Sequence, residues 1–181
     1  MVVIACFSCN CFPRTAFNSC QHPAFYAVIH PVYNSKKPVH PLERISMYQQ
    51  LSPVEIRILG CLVEKELATP EYYPLSLNAL TNACNQKSNR DPVMALTEEE
   101  VVQGLEDLRR QQLIYRSAEG VRTQRYCHHL ERTLHLDRNE LAVLAILLLR
   151  GPQTIGEIRT RCERMYAFAD LAEVEAVMNT L

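Results

Sequence analysis

Residues 85–90, Asn-Gln-Lys-Ser-Asn-Arg, gather three amides, one hydroxyl and two cations in an unbroken polar run that Asp91-Pro92 closes. A second set of donors, Arg116, Arg122, Gln124 and Arg125, follows about thirty residues later in the chain. Side chains of these types hydrogen-bond to phosphate oxygens, and such contacts hold a protein on a nucleic-acid backbone without reading its bases. The contact set predicted on this ground is Asn85, Gln86, Lys87, Asn89, Arg90, Arg116, Arg122 and Arg125. A structural explanation stands beside it. Asn85 and Asn89 can hold turn geometry, Arg90 can pair with Asp91 or with helix carboxylates, and the later arginines can simply be solvated.

Two other groupings could bind metal. Cys6, Cys9, Cys11, Cys20, His22, His30 and His40 offer enough thiolate and imidazole for zinc, but their spacing fits no familiar finger. Cys127, His128, His129 and His135 form the second grouping. On a strand, Cys127 and His129 share a face and His128 points away, so a closed site would need ligands from elsewhere. No metal or cofactor is expected. The sequence also lacks a nucleophile elbow, a Gly-rich phosphate loop and an HExxH pair, and has only five glycines for such loops. The expectation is a binding protein without catalytic chemistry and without a small-molecule substrate.

The 181 residues, 48% of them apolar, can bury a core of one domain or two small ones, and a net charge of −1 favours no partner class through the whole-molecule field. Electrostatic arguments must therefore be local. Cys61, Cys84, Cys127 and Cys162 fall singly at positions suited to buried thiols, as in a reduced cytoplasmic protein. No apolar run approaches the roughly 18 residues of a membrane span, and the first residues lack a basic leader, so no membrane contact is expected.

Residues 1–46 carry five prolines and no helical period, and are expected to be mostly unstructured, with Met47 favoured as the true first residue. Ser52-Pro53-Val54-Glu55 then makes a capping box with proline at the first helical position, and Ile56, Leu59, Leu62 and Val63 continue as an apolar stripe as far as Thr69-Pro70. A Tyr-Pro loop over 71–75 leads to Ser76, the cap of a short helix with Leu77, Leu80 and Cys84. The polar hinge, residues 85–96, comes next. Thr97-Glu98-Glu99-Glu100 opens a third helix with Val101, Leu105 and Leu108 on one side, and residues 113–117 and 121–127 read as a β-hairpin turning at 118–120. Three helices and a hairpin make a winged helix, a helix-turn-helix with the hairpin as its wing.

The pattern then recurs. Asp137-x-x-Glu140, Thr154-x-x-Glu157 and Asp170-x-x-Glu173 repeat the caps at Ser52, Ser76 and Thr97, each followed by a matching apolar stripe. Leu181 aligns with Leu108, so the second copy is expected to lack its wing. The predicted class is mainly α with a small β-hairpin: tandem winged helices over 47–130 and 131–181, the second truncated, after an extension over 1–46. Residues 141–149 are apolar on every side, which implies contact with a second surface, most economically the first winged helix.

Residues 51–94, LSPVEIRILGCLVEKELATPEYYPLSLNALTNACNQKSNRDPVM, closely resemble the start of the YceH-like bacterial proteins, a family without an assigned function. The resemblance covers about 51–181, leaves 1–46 unexplained, implies two winged helices in a cytosolic bacterial protein, and supplies no catalytic residues.

Winged helices place the N-terminal end of the third helix in the major groove. Here that end is Glu98-Glu99-Glu100, and the second copy has Asp170, Glu173 and Glu175, so both would repel phosphate. The sequence reading is therefore a DNA-binding or transcription-regulatory module that contacts phosphates through hinge and wing. The alternative is a protein-interaction module, with a protein partner or a homodimer, that uses the acidic third helices.

Overall fold

The structure, a computed structural model, describes residues 2–6, 25–29, 49–117 and 123–181, with side chains from Leu51 onward. Strands β1 (Val2–Cys6), β2 (Phe25–Ile29) and β3 (Gln49–Gln50) form an antiparallel sheet in that order. Two strands thus lie within the span read above as mostly unstructured. The rest of that span, with Cys9, Cys11, Cys20, His22, His30 and His40, lies outside the described residues, as does the Cys6 side chain.

Helix α1 (Pro53–Ala68) begins where its cap requires: the Glu55 N–H donates to the Ser52 hydroxyl at 3.3 Å and the Ser52 N–H to the Glu55 carboxylate at 2.7 Å. After a 3₁₀ turn at Pro70–Tyr72, β4 (Leu75–Ser76) leads into α2 (Leu77–Cys84), where the Ser76 hydroxyl accepts from Ala79 N–H. The Thr97–Glu100 box opens α3 (Glu98–Arg110). Strands β5 (Ile114–Ser117) and β6 (Arg125–His128) follow, then α4 (Leu130–Leu134), α5 (Arg138–Arg150), α6 (Ile155–Cys162) and α7 (Leu171–Thr180). The described chain is thus mainly helical, and β4, β6 and β5 form a small antiparallel sheet in that spatial order, an arrangement compatible with a winged helix.

Three features depart from the sequence expectation. Leu75, expected in a loop, and Ser76, expected only as a helix cap, pair with Tyr126 and Arg125; two residues are too few to show alternation. Helix α4, with five residues, is too short to show a helical period. The described strands pair in a register that sets Arg116 against Tyr126, rather than against Arg122 as the turn at 118–120 implied. Burial sets this register. It brings Ile114, Tyr126 and His128, all at most 7% exposed, to one face of the pleat.

All nine residues from 141 to 149 are buried, and one continuous core runs from Leu51 to Val177. The second surface expected for this helix is α1. The two approach at Gly60, where a Cβ would stand 2.9 Å from Leu149 Cγ and Cδ2 and 3.1 Å from Leu148 Cβ. Among the described residues no single helix is long and apolar enough to cross a membrane; α5 and α6 reach that length only together, bent by 108°.

Overpacking a core contact of this kind costs about 1–3 kcal/mol. Gly60→Val is therefore expected to lower the unfolding free energy by about 2–3 kcal/mol in urea denaturation. An unchanged midpoint would mean that α1 and α5 do not meet at this position.

Candidate nucleic-acid interface

The hinge is tied into the protein by its own polar groups. Arg90 Nε donates to Ala83 O at 3.1 Å; its two terminal nitrogens grip the Glu64 carboxylate at 3.1 and 2.6 Å, and also reach Asn89 O and Gln86 Oε1. The Arg90 side chain has no exposed surface. Burial is the largest influence on it and works against charge, but the hydrogen bonds it donates to Glu64, added to the negative charge there and at its other neighbours, hold the guanidinium above its ordinary pKa. Arg57 of α1 approaches from below, donating to Cys84 O at 3.0 Å and to Pro92 O at 2.5 Å. Burial lowers its pKa. Ala83 O and Cys84 O belong to the last turn of α2, where carbonyls lack intrahelical partners, so the two arginines together cap that helix.

Asn85 joins the ends of the hinge: its amide donates to Leu96 O at 2.8 Å and its carbonyl accepts from Leu96 N–H at 2.7 Å. Asn89 adopts a left-handed φ of 56°, a conformation asparagine tolerates well. Of the predicted hinge contacts, Asn85, Asn89 and Arg90 thus hold the fold, and Gln86 is engaged by Arg90. Arg90 cannot reach a phosphate from its buried position, and its carboxylate partner is Glu64 rather than Asp91. Lys87, with its neighbour Ser88, remains exposed.

On the wing, Arg116 is exposed and paired with Glu106, which also receives Arg109 at 2.8 Å. Hydrogen bonding from Arg109, aided by Arg116, holds the Glu106 carboxyl below its usual pKa. Arg125 donates to Pro74 O at 2.8 Å and is half-buried. The pleat puts Arg116 and Arg125 on opposite faces at the same end of the described hairpin. Arg122 lies outside the described residues. Across from the wing arginines, the first turn of α3 exposes Glu98, Glu99 and Glu100, of which Glu100 accepts from its cap residue Thr97. In α7, Asp170 and Glu173 hold the helix start, and Glu175 is exposed.

His128 is buried with its Nε2 in ion-pair range of Glu66, though not aligned for a hydrogen bond, and its Nδ1 accepts from Leu130 N–H at 3.3 Å. His135 is exposed at the end of α4. Among the described residues no three His, Cys, Asp or Glu side chains converge as metal ligands. Cys61, Cys84, Cys127 and Cys162 are buried thiols outside any disulfide.

A family model described as "Protein of unknown function, DUF480" matches residues 51–181. The chain belongs to that family. Similar DUF480 relatives include a UPF0502 protein of Geobacter metallireducens, 65% identical over 131 residues, covering 72% of this chain and 60% of the relative. Another, from Geotalea uraniireducens, is 63% identical over 135 residues, covering 75% and 62%. A third, from Geobacter sulfurreducens, is 62% identical over 131 residues, covering 72% and 60%. The chain thus spans about 60% of the length of these curated relatives.

Sequence reasoning on this DUF480 chain missed Arg57 and Glu64. A signal was present: the two charges lie two helical turns apart, with Gly60 and Cys61 between them, on a side of α1 that is otherwise apolar. Removing one partner of a buried ion pair costs about 3–5 kcal/mol, whereas exposed substitutions usually stay within about 0.5 kcal/mol. Arg90→Met is therefore expected to destabilise the protein by about 3 kcal/mol or more, and Lys87→Met to change little, when both are compared by urea denaturation. Equal, small effects would contradict a structural role for Arg90.

Proposed function

We propose that this chain is a non-enzymatic tandem winged-helix module of the cytoplasm that binds duplex DNA through phosphate contacts from its wing and hinge tip. The recurrence of α1, α2 and α3 in α5, α6 and α7, with Asp137, Thr154 and Asp170 in the places of Ser52, Ser76 and Thr97, supports the tandem reading. The second copy is read as lacking a wing. One observation carries the DNA reading: the wing presents a cation on each face, Arg116 and Arg125, while Lys87 stands exposed on the hinge. Cations on a hairpin and a loop meet phosphates rather than base edges, so binding should be weak, salt-sensitive and poorly sequence-specific.

A second reading, a module that binds a basic protein partner through α3, is favoured by Glu98 and Glu99. Both are exposed, and neither has an ion-pair partner among the described residues. DNA titrations at several salt concentrations separate the two. Each phosphate contact contributes about 0.9 to the slope of log affinity against log salt, so the triple variant Lys87→Gln, Arg122→Gln, Arg125→Gln should flatten it by about 2.5–3 units. Glu98→Gln with Glu99→Gln should strengthen binding by removing repulsion. Unchanged affinity and slope in the triple variant would overturn the DNA reading and leave the acidic helix as the better candidate.

A further inference from the structure

A cavity of about 490 Å³ opens between the end of α3, strand β5 and α4, lined by Arg109, Gln112, Ile114, Tyr115, His129, Arg132 and Thr133. Its size falls within the range of sites for small ligands. We propose that this cavity is a binding site for a small organic anion that carries a planar ring, of about the size of a nucleoside monophosphate. The site is separate from the wing contacts and does not depend on whether the chain binds DNA.

The lining contains two guanidiniums and no carboxylate. Arg132 is exposed on α4 and makes no hydrogen bond or ion pair among the described residues. Arg109 holds Glu106 through Nε and Nη2, which leaves its Nη1 free for a ligand oxygen. Two arginines on separate elements thus line one cavity, and guanidinium presents its donors in a planar fork that suits a phosphate or carboxylate. The Glu106 carboxylate holds Arg109 through two of the arginine nitrogens.

Beside the arginines stands an aromatic corner. Tyr115 is 47% exposed, the largest ring left open on this side of the sheet, and the His129 ring meets it edge-on at 5.4 Å and 89°. The Tyr115 ring remains open to a planar partner. Stacking on such a ring is tolerant of base identity. Gln112 and Thr133, both uncharged and polar, also line the cavity. Gln112 sits at φ 60°, a left-handed conformation rare for this residue, as it turns from α3 into the cavity wall.

The test uses the full chain and three probes: adenosine monophosphate, adenosine and inorganic phosphate, titrated by calorimetry and by NMR. Adenosine monophosphate is expected to bind with a Kd of about 1 mM or tighter, and adenosine and phosphate each about tenfold more weakly, since each keeps half of the contacts. Arg132→Gln should weaken the monophosphate about tenfold and leave adenosine unchanged, whereas Tyr115→Ala should weaken both nucleosides and leave phosphate unchanged. Lys87→Gln should alter none of them. Circular dichroism checks that the variants fold, and shifts should centre on Tyr115, His129 and Arg132. No binding of the monophosphate at millimolar concentration, or equal affinity in wild type, Arg132→Gln and Tyr115→Ala, would overturn the site.

Discussion

The bidentate contact between Arg90 and Glu64 decides what the hinge can do. Burying a guanidinium costs several kcal/mol unless its charge is paired and its donors are satisfied. All five Arg90 N–H groups have acceptors: two on Glu64 and one each on Ala83, Asn89 and Gln86. With that condition met, residues 85–96 are pinned to α1, α2 gains its C-terminal cap, and the Asp91 N–H reaches Leu149 O at 2.9 Å at the end of α5. A stretch whose composition suggests a ligand-facing loop is thus a joint between three helices. Of its two cations, Arg90 is buried and Lys87 is the one left open to a partner.

This difference shows which parts of the protein are legible in a sequence. The helix starts at Ser52, Ser76, Thr97 and Thr154 could be read directly, because a cap is made by residues three positions apart. Leu59, Leu62 and Val63 of the expected stripe are buried, as the same local geometry requires, whereas Ile56 is only half-buried and Ile58, not read as part of the stripe, is fully buried. Arg90 could not be read in this way: its carboxylate, Glu64, lies 26 residues earlier, and no local spacing links the two. The wing register depended on which side chains the core would take up, so the local turn signal at residues 118–120 misplaced it. The cavity at Tyr115 and Arg132 was hidden for the same reason, since α3, β5 and α4 supply its walls and α4 has no sequence period.

Exposure, more than residue type, ranks the remaining cations. Arg116 and Glu106 are both solvent-accessible, so water and salt already weaken their attraction, and a backbone phosphate can compete for the guanidinium. Arg90 has no such freedom, because releasing it would strand a buried Glu64 charge. The acidic start of α3 acts in the opposite sense. Glu98 and Glu99 suit the helix dipole but create a negative field where a winged helix ordinarily meets the major groove. Any phosphate contact must therefore be made away from that end, which leaves the wing and the hinge tip.

The close approach of α1 and α5 constrains how such contacts could be combined. If the two halves moved independently, each would keep a polar outer side on its first helix, and α5 would show one. Instead residues 141–149 are buried throughout, and Gly60 lets the backbone of α1 approach Leu148 and Leu149 at a distance that a larger side chain would prevent. Interiors packed to this density deform little, so the halves share one core and keep a fixed spacing. A partner that touches both halves meets a rigid surface, and its own geometry has to match that spacing. Binding would gain the second contact without the entropy cost of ordering a linker, but would lose it altogether on a partner of the wrong period.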